Sequence, residues 1–318
     1  MPDTRVYDVL TIGGIDMDLV LTVPELPGAD LKVFGNLVGN MPGGPAANFA
    51  CAASRLGLRV SALAEVGEDQ AGQMIIEDFA SYGVDTSLIQ VRPGGQTCFT
   101  IILIPPNGEK AIVIVPTFQP EYSLQRLSEA LRQTRLIYLM PQNHEKFLAM
   151  ARRAHESGAE VMIDVEPTVG ANRTMMPQIL AEVDIASFNQ FGFSATTGDE
   201  PSLEAAQRLL DTGPHTVVVT LGARGALVVT RDEAVAQAGF AVPAVDTTGA
   251  GDTFNAAFVS ATLAGLPLVE RLRFANGAGA LSVTGMGPRG RLPTADEVWS
   301  FVGQVQGAAS TLSEIQND

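Results

Sequence analysis

DTTGAGDTFN, residues 246–255, is the stretch around which the rest of the chain is organised. Its three small residues, 249–251, stand directly before Asp252, and an apolar run rich in helix formers, 254–263, follows at once. The pattern predicts a tight turn that opens a helix. Backbone N–H groups at such a turn have no helical partner, and they attract anions. An acid beside a phosphate site makes chemical sense if it takes a proton from a hydroxyl while that hydroxyl attacks the phosphate.

Composition places the chain among the large globular proteins. It has 318 residues, of which 46% are hydrophobic, which is enough for a large core. The formal net charge of −15 argues against non-specific binding to nucleic acid or to an anionic membrane surface. Cys51 and Cys98 have no partners at metal-ligand spacing. The sequence shows no signal peptide and no apolar run of the ~20 residues that span a bilayer. We expect a soluble, cytoplasmic protein.

Helices alternate with short, continuously apolar strands along most of the chain. This alternation predicts an α/β fold with a mostly parallel sheet flanked by helices. Two segments, about 17–40 and 96–116, interrupt it with more polar strands of antiparallel character, including one at 32–38. We interpret these segments as a small β-sheet lid beside the main domain. The whole chain, 1–318, is then a single domain whose lid is formed discontinuously.

Informative residues cluster where predicted strands end, which is where open α/β sheets bind ligands. Two groups follow this rule: Asp16, Asp18, Gly43, Gly44 and Asn48 near the first strand and helix, and Asn189, Thr220, Gly222 and Gly225 after two later strands. Carboxylates accept hydrogen bonds from hydroxyls, an amide both donates and accepts, and glycines let a ligand approach the backbone. The first group therefore suits a polyhydroxyl ligand, although each of its residues is also typical of a turn or a helix cap.

Two stretches resemble the signatures of the ribokinase-like carbohydrate kinases, also called the PfkB family: GGPAANFACAASRLG at 43–57 and DTTGAGDTFNAAFV at 246–259. Similar segments at 13–21, 65–72, 83–89 and 217–229 keep the expected order over nearly the whole chain. The resemblance implies a ribokinase-like fold. It also implies phosphoryl transfer from ATP, which brings Mg²⁺, to a sugar or related alcohol.

The resemblance further implies a role for each matching residue. Asp252 would deprotonate the accepting hydroxyl, and the N–H groups of Gly249, Ala250 and Gly251 would form the anion hole for the transferred phosphoryl group. The sugar would be held by Asp16, Asp18, Gly43, Gly44, Asn48 and Gln142. The nucleotide site would be lined by Asn189, Thr220, Gly222, Gly225 and Asn276. A monovalent-cation site of some members is matched by Asp246 and Thr248, with backbone carbonyls near Ser282, Gly285 and Gly287, which leaves open whether K⁺ binds.

Two departures from the family pattern bear on the metal and on the sugar. Many members carry an Asn-x-x-Glu motif that helps to organise Mg²⁺ through water, but here Asn189 is followed three residues on by Gly192. Because Mg²⁺ keeps several waters and binds phosphate oxygens, we still expect it to arrive with ATP. PAA at 45–47 replaces the Lys-Gly-Ala of ribokinase itself, and Gln142 stands where ribokinase has a substrate-binding acid. Ribose is therefore disfavoured, and the identity of the sugar stays open.

Two other functions remain as alternatives. A nucleoside kinase of the same family would stack a base on Phe99 or Phe118, although both also suit a lid or dimer core. A non-catalytic sugar-binding sensor would explain the acid missing at Gly192 but not the intact GAGD. The predicted lid also has strand edges with apolar residues such as Phe34 and Ile114. Because edges of this kind are usually covered, we predict a homodimer through the lid.

Overall fold

The structure is a computed structural model that describes residues 5–107, 110–141 and 143–304. Its strands, in chain order, are β1 (Tyr7–Ile12), β2 (Asp16–Thr22), β3 (Asn36–Gly43), β4 (Val60–Leu63), β5 (Glu65–Gly67), β6 (Gln90–Arg92), β7 (Phe99–Ile104), β8 (Ala111–Val115), β9 (Thr134–Leu139), β10 (Glu160–Val165), β11 (Ile185–Asn189), β12 (Thr216–Thr220), β13 (Ala226–Thr230) and β14 (Ala234–Gln237). The main sheet has the order β14-β13-β12-β11-β10-β9-β1-β4. It is parallel from β4 to β12 and antiparallel only at the β12–β13 and β13–β14 pairs.

Helices cover both faces of this sheet. They are α1 (Pro45–Arg55), α2 (Gln70–Ser81), α3 (Leu124–Arg132), α4 (His144–Glu156), α5 (Pro167–Gly170), α6 (Met176–Leu180), α7 (Gln190–Thr197), α8 (Leu203–Leu209), α9 (Ala250–Leu263), α10 (Leu268–Ser282) and α11 (Ala295–Gln304). Alternate strand residues pack into two cores: Val9 contacts the core with α1, α9 and α10, while its neighbour Leu10 contacts the core with α3 and α4. This alternation explains why the strands read as continuous apolar runs. The α/β prediction is confirmed.

A separate sheet of order β3-β2-β7-β8, called the lid sheet below, stands beside the main sheet. The strand predicted at 32–38 is only partly right: positions 36–38 lie in β3, but pairing with β2 begins at Asn36, opposite Thr22, where β2 ends. Residues 32–35 therefore lie beyond the end of β2 and have no β2 residue to pair with. The predicted antiparallel character is also only partly right. The β2–β3 and β7–β8 pairs are antiparallel, but β2 and β7 run parallel because α1, β4 and α2 intervene between them in the chain.

The topology brings the chemical residues to one edge. Because β1, β9, β10, β11 and β12 are parallel, their carboxyl ends meet at the same side of the sheet. Glu166 follows β10, while Asn189 and Thr220 end β11 and β12. The turn before α9 lies against the same edge, as shown by the cavity that it shares with these residues.

Candidate active site

Asp252 sits in the first turn of α9, and a glycine sets the geometry of that turn. Gly249, the residue before the helix, has φ 75°, a left-handed conformation that other residues rarely adopt. A Cβ atom at Gly249 would also lie 2.6 Å from the carbonyl oxygen of Pro288. Asp252 is 9% exposed. The sequence therefore folds into the predicted tight turn, and that turn holds a carboxylate almost fully out of water.

A buried hydrogen-bonded chain fixes the orientation of Asp252. Asn48, on α1, donates from Nδ2 to Asp252 Oδ2 at 2.9 Å. The same amide accepts through Oδ1 from Nε of Arg289 at 3.1 Å. The Arg289 guanidinium is itself buried, pairs with Asp78 and lies 3.5 Å from the carbonyl oxygen of Gly43. Arg289 thus fixes which end of the Asn48 amide faces Asp252.

The surroundings of Asp252 tune its acidity. Burial raises the pKa of Asp252 to about 7, against the lowering effect of the Asn48 hydrogen bond and of the Arg289 charge; the Glu166 carboxylate raises it further. A base whose pKa lies near neutrality is ionised in a large fraction of molecules and still accepts a proton well. The site is therefore suited to general-base catalysis near neutral pH.

The predicted hydroxyl-binding residues come together next to this chain. β2 pairs with β3 so that Asp16 lies opposite Gly43. A Cβ atom at Gly43 would lie 2.0 Å from Asp18 Oδ2, so only glycine fits against that carboxylate. Gly44 has φ 91° and precedes the first residue of α1. Within the described residues, Asp16 Oδ1 is buried and has no hydrogen-bond partner.

The two carboxyl groups are poised to bind a donor. Burial, with the nearby charge of Asp18, raises the pKa of Asp16 to about 7. Burial also raises the pKa of Asp18, against the opposing hydrogen bond from Thr100. A buried carboxyl oxygen without a partner costs free energy that a ligand hydroxyl can recover by donating a hydrogen bond.

A cavity of 320 Å³ opens between the carboxyl edge of the sheet and the start of α9. Its chemical lining is Asp164, Glu166, Ser187, Asn189, Thr220, Gly249, Gly251, Asp252 and Asn255. Gly251 is in the first turn of α9, so its N–H has no helical acceptor. The Ala250 N–H, by contrast, lies 3.3 Å from the carbonyl oxygen of Thr247. Of the three predicted anion-hole groups, Gly249 and Gly251 line the cavity directly.

A second cavity of 580 Å³ shares Thr220, Gly222 and Gly251 with the first. Four of the predicted nucleotide residues line it: Thr220, Gly222, Gly225 and Asn276. Its walls also include Phe240, Phe254 and Val283. A mostly apolar slot that joins a polar cavity suits a flat base attached to a charged group. The fifth residue, Asn189, lines the first cavity, and its Oδ1 caps α7 by accepting from the Gly192 N–H at 2.7 Å.

The predicted monovalent-cation residues form hydrogen bonds with one another and with Lys110. Asp246 Oδ1 accepts from the Thr248 hydroxyl at 2.7 Å and from the Lys110 ammonium at 2.9 Å. Gly287 donates its N–H to Asp246 Oδ2 at 3.0 Å. The Ser282 carbonyl accepts from the Gly285 N–H at 3.3 Å.

Sequence reasoning missed four residues of the site and named one that cannot be placed. Asp164 and Glu166 flank the end of β10, so the strand-end rule that pointed to Asn189 applied to them too. Arg289 is far from Asp252 in the chain, and Lys110 is far from Asp246. No local sequence pattern identifies either cation as part of the site. Gln142 lies outside the described residues. Phe118, considered for stacking on a base, instead has the Arg92 guanidinium 4.6 Å from its ring centroid.

The fold and the site define a class of phosphotransferase. A sequence model of the pfkB family of carbohydrate kinases matches residues 7–295. The chain belongs to this family and is a carbohydrate kinase. Within the described residues, no helix is both long and apolar enough to cross a membrane.

Individual relatives narrow the comparison. The chain is 30% identical to the ribokinase of Haemophilus influenzae over 300 residues, which cover 92% of this chain and 97% of that one. It is 31% identical over 297 residues to an ATP-dependent ribose-1-phosphate kinase of Halopiger xanaduensis, with coverage of 93% and 98%. The structure of Arabidopsis thaliana ribokinase complexed with ribose and ATP matches with a TM-score of 0.81 at 26% identity, over 93% of this chain and 99% of that one.

Proposed function

We propose that this kinase transfers the terminal phosphoryl group of ATP to a hydroxyl of a sugar or sugar derivative, with Asp252 as general base. The observation that carries the proposal is the position of Asp252. It lies within hydrogen-bond reach of Asn48 and lines the 320 Å³ cavity with Gly251. Asn48 also connects it, through Arg289, to the Asp16 and Asp18 side of the site.

The steps assigned to the residues follow from this geometry. Asp16 and Asp18 would accept hydrogen bonds from sugar hydroxyls and orient one of them towards Asp252. Asp252 would take the proton of that hydroxyl as the hydroxyl oxygen bonds to the terminal phosphorus of ATP, and the bond from this phosphorus to the bridging oxygen would break to release ADP. The N–H groups at the start of α9, including that of Gly251, would stabilise the negative charge on the transferred group. A lid sheet closed over the sugar would exclude water and suppress ATP hydrolysis.

The residues present also fit Mg²⁺. Burial, with the nearby carboxylates of Asp252 and Glu166, raises the pKa of Asp164 well above its usual range. Desolvation also raises the pKa of Glu166. Such crowding of acids is relieved by a divalent cation. Within the described residues, no group of three or more His, Cys, Asp or Glu side chains could hold a metal by itself. This agrees with an ion that enters bound to ATP phosphates and keeps several waters.

Glu166 is the residue that we assign in place of the acid missing at Gly192. A Cβ atom at Gly192 would lie 1.9 Å from the carbonyl oxygen of Val165, so an acid cannot stand there in this backbone. Val165, whose carbonyl oxygen would meet that Cβ atom, is followed directly by Glu166. Glu166 lines the same cavity as Asn189. Asp164 and Glu166 would hold the waters around Mg²⁺, and Mg²⁺ would neutralise charge on the ATP phosphates.

A variant tests the assigned base. Asp252→Asn is expected to lower kcat by about 10²–10⁴-fold, because it removes the proton acceptor while keeping the shape. The affinity for ATP, measured by calorimetry, should change little. Asp232→Asn, at an exposed position in the β13–β14 turn, is the matched control and should behave as the wild type. Unchanged turnover in Asp252→Asn would refute the assignment.

The choice of sugar requires a substrate panel. The two relatives above are a ribokinase and a ribose-1-phosphate kinase, whereas PAA at 45–47 argued against ribose. ADP release should therefore be measured with ribose, ribose 1-phosphate, ketoses, sugar acids and nucleosides. We expect one sugar or sugar derivative to be preferred. Preference for a nucleoside would establish the alternative substrate class, and absence of turnover with every compound would favour a binding protein.

A further inference from the structure

Lys110 reaches from the lid sheet to the turn before α9. It directly precedes β8, and its ammonium donates to Asp246 Oδ1 at 2.9 Å and contacts the Thr248 hydroxyl. The two charged side chains are largely sheltered, with 26% of the Lys110 side chain and 13% of the Asp246 side chain exposed. Salt screens such a pair less than a fully exposed one.

Both carboxyl oxygens of Asp246 and the carbonyl oxygen of Gly287 already accept hydrogen bonds. Asp246 Oδ1 accepts from the Thr248 N–H at 3.0 Å, from the Thr248 hydroxyl and from Lys110. Asp246 Oδ2 accepts from the Gly287 N–H. The Gly287 carbonyl accepts from the Gly290 N–H at 3.2 Å. An ammonium held at Asp246 Oδ1 excludes K⁺, because the two cations repel each other and would share the same oxygen atom.

The charge at Asp246 nevertheless requires compensation. Its two carboxyl oxygens accept hydrogen bonds from Thr248, Lys110 and Gly287. A partly buried carboxylate is stable only with a charge or donors beside it. Lys110 is the cation that the structure places there.

We propose that the Lys110 ammonium takes the place of a monovalent cation, so that turnover of this kinase does not depend on K⁺. Lys110 is a positioning residue: it acts through Asp246 and Thr248, which immediately precede the glycine turn 249–251. Because Lys110 directly precedes β8 of the lid sheet, the same contact ties lid closure to the order of that turn. An ordered turn keeps its N–H groups aimed at the transferred phosphoryl group. This inference rests on the proposed function for its kinetic part only.

The test compares the wild type with Lys110→Met at constant ionic strength, in KCl or in tetramethylammonium chloride. Wild-type kcat should be the same in both salts. In tetramethylammonium chloride, Lys110→Met should lose about 10- to 100-fold in kcat, as expected for small misplacement of catalytic groups, with little change in sugar KM. KCl should restore most of this loss. Lys32→Met, the same substitution in the β2–β3 connection of the lid sheet, should behave as the wild type.

A second readout does not depend on catalysis. KCl, relative to tetramethylammonium chloride, should raise the melting temperature of Lys110→Met but not that of the wild type. K⁺ activation of the wild type would overturn the proposal. So would full activity of Lys110→Met without K⁺, or a loss of activity that K⁺ does not restore. If the wild type phosphorylated no compound, the proposed function would fail, while the melting comparison would still decide whether Lys110 replaces the cation.

Discussion

The Asn48 amide hydrogen-bonds to both Asp252 and Arg289, and the Arg289 charge also acts on Asp252, which predicts a pH profile. Asp252 must be ionised to accept a proton, and its pKa is about 7. The value of kcat/KM should therefore fall as the pH drops below about 7. A plot of log(kcat/KM) against pH should approach a slope of one on this acidic limb. Because the Arg289 charge lowers the pKa of Asp252, Arg289→Met should move this acidic limb to higher pH. Arg289→Lys keeps the charge and should move it less; equal shifts in both variants would contradict the link.

Asp16 predicts the pH dependence of stability in the absence of ligand. Its pKa is about 7 in the folded protein and ~3.9 in an unfolded chain. The folded state therefore binds the extra proton between these values, so the stability from Asp16 is full below pH ~4 and is lost as the pH rises through about 7. Asp16→Asn removes this loss. Relative to the wild type, it should gain about 1–3 kcal/mol in unfolding free energy between pH 5 and pH 8.

Urea unfolding at the two pH values measures the effect of Asp16→Asn. The exposed Asp232→Asn serves again as the control and should change the two free energies equally. A variant that loses stability more at pH 8 than at pH 5 would show that the Asp16 carboxylate, not the carboxylic acid, is favoured by the fold.

At the scale of elements, the hydrophobic pattern of the sequence predicted the strands of the main sheet and the helices that cover it, because burial of these elements requires that pattern. The strands of the main sheet are buried on both faces, so their continuous apolar runs and the intervening helices were readable from sequence. The lid sheet was less readable, because one of its faces is open and two of its strands, β2 and β3, mix polar with apolar residues. The start of β3 is set by the length of β2, its partner, and not by the residues of β3 themselves. The start of β3 could therefore not be predicted from the residues around it.

The end of β10 packs against Gly192 of α7, and Glu166, which follows β10, lines the same cavity as Asn189. We therefore predict that Glu166 affects the Mg²⁺ requirement. Glu166→Gln keeps the size of the side chain and removes one charge from the 320 Å³ cavity. It should raise the Mg²⁺ concentration needed for half-maximal activity by about 10-fold, in line with the loss of a group that orients metal ligands. Mn²⁺ binding in the presence of a non-hydrolysable ATP analogue, followed by electron paramagnetic resonance, should weaken in parallel.

Two further variants frame the Glu166 experiment. Glu233→Gln, in the exposed β13–β14 turn, should leave the requirement for metal unchanged. Gly192→Ala should destabilise the fold, because its Cβ would meet the Val165 carbonyl oxygen. If Glu166→Gln leaves both the Mg²⁺ requirement and Mn²⁺ binding unaltered, another group orders the metal.

At the scale of the whole molecule, the sequence predicted the site to the extent that its parts are local. The turn 249–252 and the glycines at the start of α1 each carry their own signature. Arg289 and Lys110 do not, because each acts on a residue that is distant in the chain: 241 positions separate Arg289 from Asn48, and 136 separate Lys110 from Asp246. Only the folded chain brings these charges to the turn before α9. The motif therefore predicts the turn and its acid, while long-range contacts change the pKa of Asp252 and bind the side chains of Asp246 and Thr248.

The lid sheet has an apolar face that this chain covers only in part. Cross-strand partners lie on the same face of a sheet, so Ile112 shares a face with Ile102, its partner on β7. Ile102 lines a cavity of 510 Å³ beside Asp18 and is 7% exposed, whereas Ile112 is 56% exposed. Ile114 is 69% exposed. The apolar face is therefore buried at Ile102 on β7 and exposed to solvent at Ile112 and Ile114 on β8.

We predict that a second copy of the chain covers this face, so that the protein is a homodimer through its lid sheets. Burial of such side chains against a partner contributes about 1.5–3 kcal/mol each. Light scattering should give the mass of two chains. The double variant Ile112→Lys and Ile114→Lys should be monomeric, because it places two charges in the interface. Val269→Lys, at a similarly exposed position on α10, should remain dimeric. Ile102 on the same face lines a cavity with Asp18, which we propose as a sugar ligand, so the monomeric variant should also show a raised sugar KM. A wild-type mass of one chain would exclude the interface.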